Sequence, residues 1–296
     1  MRIVVFGATG VVGRALLPEL VRTHEVVAVS RRPQEGEGVT WTEADVLDPD
    51  SVRRAVDSAE IVYYLVHSLG EGDFEERDAR AAESVAEEAG RAGVRQLVYL
   101  GGLGDDSAKL SPHLRSRTET ARRLASGGVP LTTIRAAVVV GAGSAAFETM
   151  VALVDRLPVM IAPRWVSMPT QPVALADVVA YLGGVAGREE TFGESYDAGG
   201  PEVMTYRKMV ETVARLRGKR RAIVEVPVLT PRLSSLWLHL VTPVKAPVAR
   251  PLVEGLSTAT VAADDRIRRL VPIEPTPFAD AVRIALAERK NTEGRG

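Results

Sequence analysis

The chain has 296 residues, a quarter of them charged, a formal net charge of −1, no cysteine and four histidines. That length suits one nucleotide-binding core plus an insertion, and the near-neutral charge excludes the overall basic excess that steers chains to nucleic acid or an anionic membrane. Without cysteine there is no disulfide framework, thiolate nucleophile or Cys-ligated zinc; the scattered histidines suggest no metal, and the composition fits the cytoplasm.

The opening "MRIVVFGATG" carries a charge at once, and its apolar run breaks at Gly7, too early for a signal-peptide core or a membrane span. Strands are predicted at 2–6, 25–30, 39–45, 61–66, 95–100 and 131–140, mostly separated by alanine- and charge-rich helical stretches. This alternation predicts the α/β class, with a doubly wound parallel sheet of Rossmann type and a small C-terminal substrate cap.

Between the first strand and the first helix, Gly7, Gly10 and Gly13 stand at G-x-x-G-x-x-G spacing, and Val12, Leu16, Leu17 and Leu20 give the helix an apolar side. Gly7 permits the tight turn, Gly10 lets backbone approach a pyrophosphate, and Gly13 lets the helix pack closely on the sheet. The helix N-terminus supplies amides and a positive dipole end, with Thr9, Val11 and Val12 beside them. At the end of the second strand an acid would read the ribose of NAD, but here Ser30, Arg31 and Arg32 follow one another. Guanidinium groups suit a 2'-phosphate, so NADP(H) is expected in preference to NAD(H). Asp45 and Val46, after the third strand, are placed to meet the adenine edge, or simply form a turn before a helix capped by Asp50.

The fourth strand delivers Leu65, Val66 and His67 toward the nicotinamide ribose and Ser68 toward the substrate; the alternative for His67 is a satisfied loop histidine. Residues 72–93 form the clearest helix, with Phe74, Ala81, Val85 and Ala89 on one stripe, pairs Glu76–Arg80 and Glu87–Arg91 at i,i+4, and a solvated acidic side. Between Asp73 and Ala92 seven acids face three bases, which discourages a dimer through this helix and favours a monomer. In "LSPHLRSRTET", Ser111 and Pro112 begin a helix on which His113 and Arg117, four residues apart, share a face.

After Val140 the strand–helix rhythm lapses. Phe147, Met150, Met160, Trp165 and Met168 suggest an apolar mouth for a small apolar substrate, with Arg164 as an anchor for an oxygen; packing in the core is the alternative. Residues 172–187 and 194–200 read as a helix and a strand returning to the sheet. Residues 205–218, with Met209, Val213 and Leu216 on one side, open a cap, and 278–289 form a last amphipathic helix. The expected division is a core of 1–145 completed by 172–200, with 146–171 and 201–296 as the substrate cap. The apolar stretch 233–256 is broken by Pro243, Lys245, Pro247, Arg250 and Pro251 and does not read as an integral membrane segment, while Leu236, Trp237 and Leu238 pack in the cap or extend its wall. His24 and His239 read as structural.

Taken in order, "GATGVVG", "SRRP", "ADVLDPDSV", "YYLVHSLG", "VYLGGLG" and "LSPHLRSR" resemble the atypical short-chain dehydrogenase/reductase superfamily, and within it the NmrA-like NAD(P)H-binding branch. Reductases of that family use a Ser after the fifth strand and a Tyr-x-x-x-Lys on the next helix. Here the Tyr place is similar to His113, the Lys place to Arg117, and the Ser place falls near Gly101 and Gly102. The resemblance implies that Arg117 holds ribose hydroxyls and that His113 polarises a carbonyl. The helix dipole and Arg117 push His113 below the usual value of about 6.5, so a neutral imidazole is expected. The functions implied are an NADPH-dependent oxidoreductase of an apolar carbonyl, enone or quinone; a non-catalytic NADP(H)-binding redox sensor or assembly factor; or a non-redox isomerase or lyase on the same scaffold.

Overall fold

The computed structural model describes residues 1–32, 34–36, 38–68, 73–104, 111–226 and 258–293. The late stretch with Leu236, Trp237, Leu238 and His239 lies outside them. The elements in chain order are β1 (Arg2–Phe6), α1 (Val11–Leu20), β2 (Glu25–Ser30), β3 (Thr40–Glu43), α2 (Pro49–Val56), β4 (Ile61–Tyr64), α3 (Phe74–Arg91), β5 (Gln96–Gly102), α4 (Pro112–Ala125), β6 (Leu131–Ala136) and β7 (Val139–Val140). They continue as α5 (Ala145–Arg156), β8 (Val159–Pro163), β9 (Pro169–Thr170), β10 (Val173–Ala174), α6 (Leu175–Gly184), β11 (Ser195–Ala198), β12 (Met204–Thr205), α7 (Tyr206–Leu216), β13 (Ala222–Val226), α8 (Arg266–Leu270) and α9 (Phe278–Glu293).

Seven strands pair in the order β11-β6-β5-β4-β1-β2-β3, and every pairing is parallel. Parallel strands need crossovers, and the helices supplying them bury both faces, which is why β1 and β4 are almost wholly apolar. Ile3 and Val5 of β1 point to the layer that holds Leu16, Leu17 and Leu20 of α1 with Val178, Tyr181 and Leu182 of α6. Val4 and Phe6 point to the opposite layer, with Val52 of α2 and Ala81, Val85 and Ala89 of α3. The chain direction of build-up reverses between β1 and β4, so a crevice opens beyond their carboxyl ends, where this class of sheet takes its ligands.

A third core lies apart from the sheet. Phe147, Met150, Val151 and Val154 of α5 pack with Met209, Val210 and Val213 of α7, Val282 and Ala285 of α9, and Met160 of β8. Hydrogen bonds fix this body to the sheet: Gln171 Nε2 donates to Gly200 O at 2.7 Å, and Asp177 accepts from the Thr276 N–H and hydroxyl, both at 2.8 Å.

Several local expectations are corrected. The strand expected over 131–140 ends at Ala136; Val138 O accepts the Val173 N–H, and β7 pairs with β10 instead of the large sheet. The strand expected over 39–45 is only Thr40–Glu43, because Asp45 turns the chain. The cap of α2 is Asp48, whose carboxylate accepts from the Asp50 N–H, not Asp50 itself. The acidic side of α3 is not all solvated: Asp78 and Glu88 are buried, and Glu88 pairs with Arg53 and Arg91.

Candidate functional site

The turn after β1 is set by sterics. Gly7 has φ +83°, a conformation L side chains rarely adopt, and a Cβ there would sit 2.7 Å from the Leu65 carbonyl carbon. A Cβ on Gly13 would lie 2.3 Å from Gly7 O, so α1 approaches β1 as closely as it does only through glycine. Gly10 is the N-cap residue of α1; its N–H donates to Gly7 O at 3.0 Å, and no side chain caps the helix. Thr9 and Gly10 are exposed, Val11 and Val12 half-buried. The first amides of α1 and its positive dipole end therefore face an open surface, and these residues fit a pyrophosphate.

Next along the sheet edge, Ser30 closes β2 and its Oγ accepts the Arg32 N–H at 3.2 Å. Arg31 and Arg32 are both exposed, as a reader of a phosphate at the rim must be. Glu43 of β3 is in register with Ser30 and exposed, an acid near this corner that the sequence reading did not single out. Asp45 spends one carboxylate oxygen on the Leu47 N–H at 3.0 Å, and its backbone is tied to Ser51, so its role in this structure is the turn. Val46 beside it is half-buried.

At the ends of β4 and β5 the remaining residues converge. Leu65, Val66 and Ser68 are half-buried and His67 is exposed. The Arg117 guanidinium first, then the surrounding protein and His113, lower the His67 pKa to about 3. His67 both touches solvent and has charged neighbours. His113 is likewise lowered to about 3, by burial first and Arg117 second. The direction agrees with the expectation, but burial is the main cause, ahead of the charge effects expected at the helix start. Ser111 caps α4, accepting the Leu114 N–H at 3.3 Å. Arg117 Nη1 donates to Leu100 O at 3.3 Å, and its own carbonyl accepts the Tyr99 hydroxyl at 3.3 Å.

No serine stands at the end of β5, where the two glycines lie close to neighbouring side chains. A Cβ on Gly102 would meet Leu114 Cδ2 at 2.9 Å, and one on Gly101 would meet Tyr99 Cε1 at 3.3 Å. Behind Arg117 a cavity of about 150 Å³ is lined by Tyr99, Gly102, Thr133 and Arg135, among others. It is too small for a substrate, since ligand pockets usually exceed about 300 Å³.

One functional-site residue escaped the sequence reading. Asp78 of α3 is buried; its Oδ1 accepts the Ser68 N–H at 2.7 Å and its Oδ2 the Ser116 hydroxyl at 3.2 Å. It thus ties the loop carrying His67 and Ser68 to the helix carrying His113 and Arg117. The Tyr64 hydroxyl, close by, is buried with no hydrogen-bond partner among the described residues. The signal was present: position 78 is four residues after Phe74 and three before Ala81, on the inward stripe.

Of the expected substrate wall, Phe147 is fully buried, and Met150 and Met160 nearly so, all packed within the third core, the packing alternative the sequence also allowed. Arg164 and Trp165 begin a short 3-10 turn, Arg164–Ser167, and their side chains lie outside what is described. Met168 is half-buried.

Residues 7–140 match the family described as NAD(P)H-binding. The chain is 27% identical over 290 residues, covering 94% of itself and 95% of the relative, to the (4-alkanoyl-5-oxo-2,5-dihydrofuran-3-yl)methyl phosphate reductase of Streptomyces griseus. It is 23% identical, over 89% of its own length and 71% of the other, to NADH dehydrogenase [ubiquinone] 1 alpha subcomplex subunit 9 of Arabidopsis thaliana mitochondria. The NADPH-dependent quinone oxidoreductase of Escherichia coli, solved with NADPH, superposes with a TM-score of 0.78 at 21% identity, over 96% of this chain and 99% of that one.

Proposed function

From an NAD(P)H-binding domain whose structural neighbours lie in the NmrA-like, atypical short-chain dehydrogenase/reductase group, we propose that this chain is an NADPH-dependent reductase of conjugated carbonyl compounds, an enone or a quinone. The observation that carries this reading is the convergence of His67, His113 and Arg117 at the ends of β4 and β5, where Asp78 ties the His67 loop to α4 and the Arg117 charge favours neutral imidazoles. Gly7, Gly10 and Gly13 with the start of α1 would hold the pyrophosphate, Arg31 and Arg32 the 2'-phosphate, and Leu65, Val66 and Arg117 the nicotinamide ribose. NADPH, when bound, supplies a hydride.

What the protein adds is charge stabilisation more than proton delivery. An imidazole that holds no extra proton at neutral pH can donate one N–H to a carbonyl oxygen but yields a proton to it reluctantly. A simple ketone needs that proton, because the alkoxide it would become is strongly basic. A conjugated acceptor spreads the new negative charge over several atoms, and a guanidinium beside it stabilises that charge without any proton transfer. The relatives support this class: one is a reductase of an unsaturated oxo-dihydrofuran, and a protein of the same fold is a quinone oxidoreductase.

The absence of Ser, Tyr and Lys from their family places, with Gly102 packed against Leu114, supports a second reading, a non-catalytic NADP(H)-binding sensor. One experiment separates the two. NADPH and NADH are titrated by fluorescence quenching, and NADPH oxidation is then followed with quinones, enones, ketones and aldehydes. The reductase reading expects tighter binding of NADPH than NADH, a preference lost in Arg31→Ala/Arg32→Ala, and oxidation with quinones or enones but not simple ketones. Binding without oxidation by any acceptor favours the sensor. Equal affinity for both nucleotides contradicts the roles given to Arg31 and Arg32.

A further inference from the structure

Among the described residues the parallel pair β8–β13 has one buried and one half-exposed face. Met160 and Ala162 of β8 are 5% and 8% exposed and pack into the third core with Ile223. The register pairs Val159 with Ala222 and Ile161 with Val224, so these four side chains share the other face. There Val159 is 51% exposed, Ile161 53% and Val224 49%, three of the few large apolar side chains left open among the described residues.

A basic rim adjoins this face. The run "RLRGKRR" places Arg215, Arg217, Lys219, Arg220 and Arg221 immediately before β13, and Arg156 ends α5 two residues before the loop into β8 closes. The two segments are held together at that end: Ala222 N–H donates to Pro158 O at 3.0 Å, and Arg221 Nε to Val154 O at 2.6 Å. Arg217 and Lys219 both pair with Asp155. Residues 155–156 and 211–221 together carry six basic residues and two acidic ones, Asp155 and Glu211, on a chain whose overall charge is −1. Arg156, Arg215 and Arg220 are exposed.

We propose that this apolar face and its basic rim seat the protein peripherally on an anionic lipid bilayer. Aliphatic side chains enter the boundary between headgroups and acyl chains, while the rim draws negatively charged headgroups. The segregation of positive charge beside the half-exposed aliphatic face is the complement of such a surface. A second copy of the chain fits less well, because three half-exposed aliphatic side chains fall far below the roughly 800 Å² per partner of a stable interface. No helix among the described residues is long and apolar enough to cross a membrane, so the contact argued for is with the surface. The inference does not rest on the reductase reading.

The test is co-sedimentation of the full chain with vesicles of phosphatidylcholine alone and of phosphatidylcholine mixed with phosphatidylglycerol. Partition is expected on the mixed vesicles only, and weakening with salt. Arg215→Glu/Arg220→Glu should lower partition by about 25-fold or more, about fivefold for each charge removed. Ile161→Ser/Val224→Ser should lower it about tenfold or more. Both pairs lie at exposed positions, so far-UV circular dichroism and NADPH affinity should match the parent. No partition, equal partition on both vesicle types, or partition indifferent to either double variant overturns the proposal. So does a concentration-dependent dimer in sedimentation velocity that Ile161→Ser/Val224→Ser abolishes, since the occupant would then be a second copy.

Discussion

Replacing His113 by Gln should flatten the dependence of stability on acid between pH 7 and pH 5. In the folded protein burial and Arg117 hold the His113 pKa at about 3, whereas in the unfolded chain it returns to about 6.5. A lowered histidine has the same neutral form in both states above pH 6.5 and so contributes nothing there. As pH falls below that value the unfolded chain takes up the proton and the folded one does not, so stability drops by up to about 1.4 kcal/mol per pH unit until pH 3 is approached. At pH 5 the loss from this one residue is about 2 kcal/mol. The carboxylates with lowered values, Glu88, Asp155 and Asp264, also withdraw stability in acid, but below their unfolded range near pH 4, so this window belongs to histidine. His24 and His67 are lowered as well and act in both proteins, so the difference between parent and variant isolates His113. Urea unfolding of the nucleotide-free protein at pH 7.5 and 5.0 measures it. The parent should lose about 2 kcal/mol more than the variant between the two conditions; equal losses, within the error of extrapolation, would refute a half-buried His113 held neutral.

Asp78→Ala should cost about 2–5 kcal/mol, because it leaves both the Ser68 N–H and the Ser116 hydroxyl without their acceptor; Asp78→Asn, which keeps an acceptor for the amide, should recover most of that in a thermal melt. Gly102→Ser, which restores the residue type usual in related reductases, should fold with a stability loss of at most about 1 kcal/mol, since the Leu114 side-chain tip it meets can shift, and should confer no ketone-dependent NADPH oxidation, since no Tyr or Lys follows on α4. Gly13→Ala should remove nucleotide binding by calorimetry, because its methyl would lie 2.3 Å from Gly7 O and force α1 off the sheet.

The sheet was readable because its strands carry their information locally. A strand covered on both faces must be apolar at its buried positions, as "IVVF" after Arg2 and "IVYY" are, and the glycines at 7, 10 and 13 mark backbone that a side chain would obstruct. The limits of strands were less readable. Val139 and Val140 look like the continuation of Leu131–Ala136 because β-branched residues suit any strand, and only the competing N–H of Val173 decides which sheet takes them.

Side chains whose meaning depends on distant partners were harder. Phe147, Met150 and Met160 are apolar whether they line a mouth or fill a core, and the choice falls to α7 and α9, which arrive more than forty residues later and pack against them. Asp78 poses the same problem with opposite sign. Helical periodicity puts it on the inward face of α3, where an unsatisfied carboxylate would be expelled, so its burial requires donors. Those donors are Ser68, ten residues earlier, and Ser116, thirty-eight later, and neither lies on the same element. An acid placed inside an apolar stripe is therefore a sign that two other segments meet there, and here the two are the loop of His67 and the helix of His113 and Arg117. The acid that looks misplaced in the helix is what brings the candidate site's two halves together.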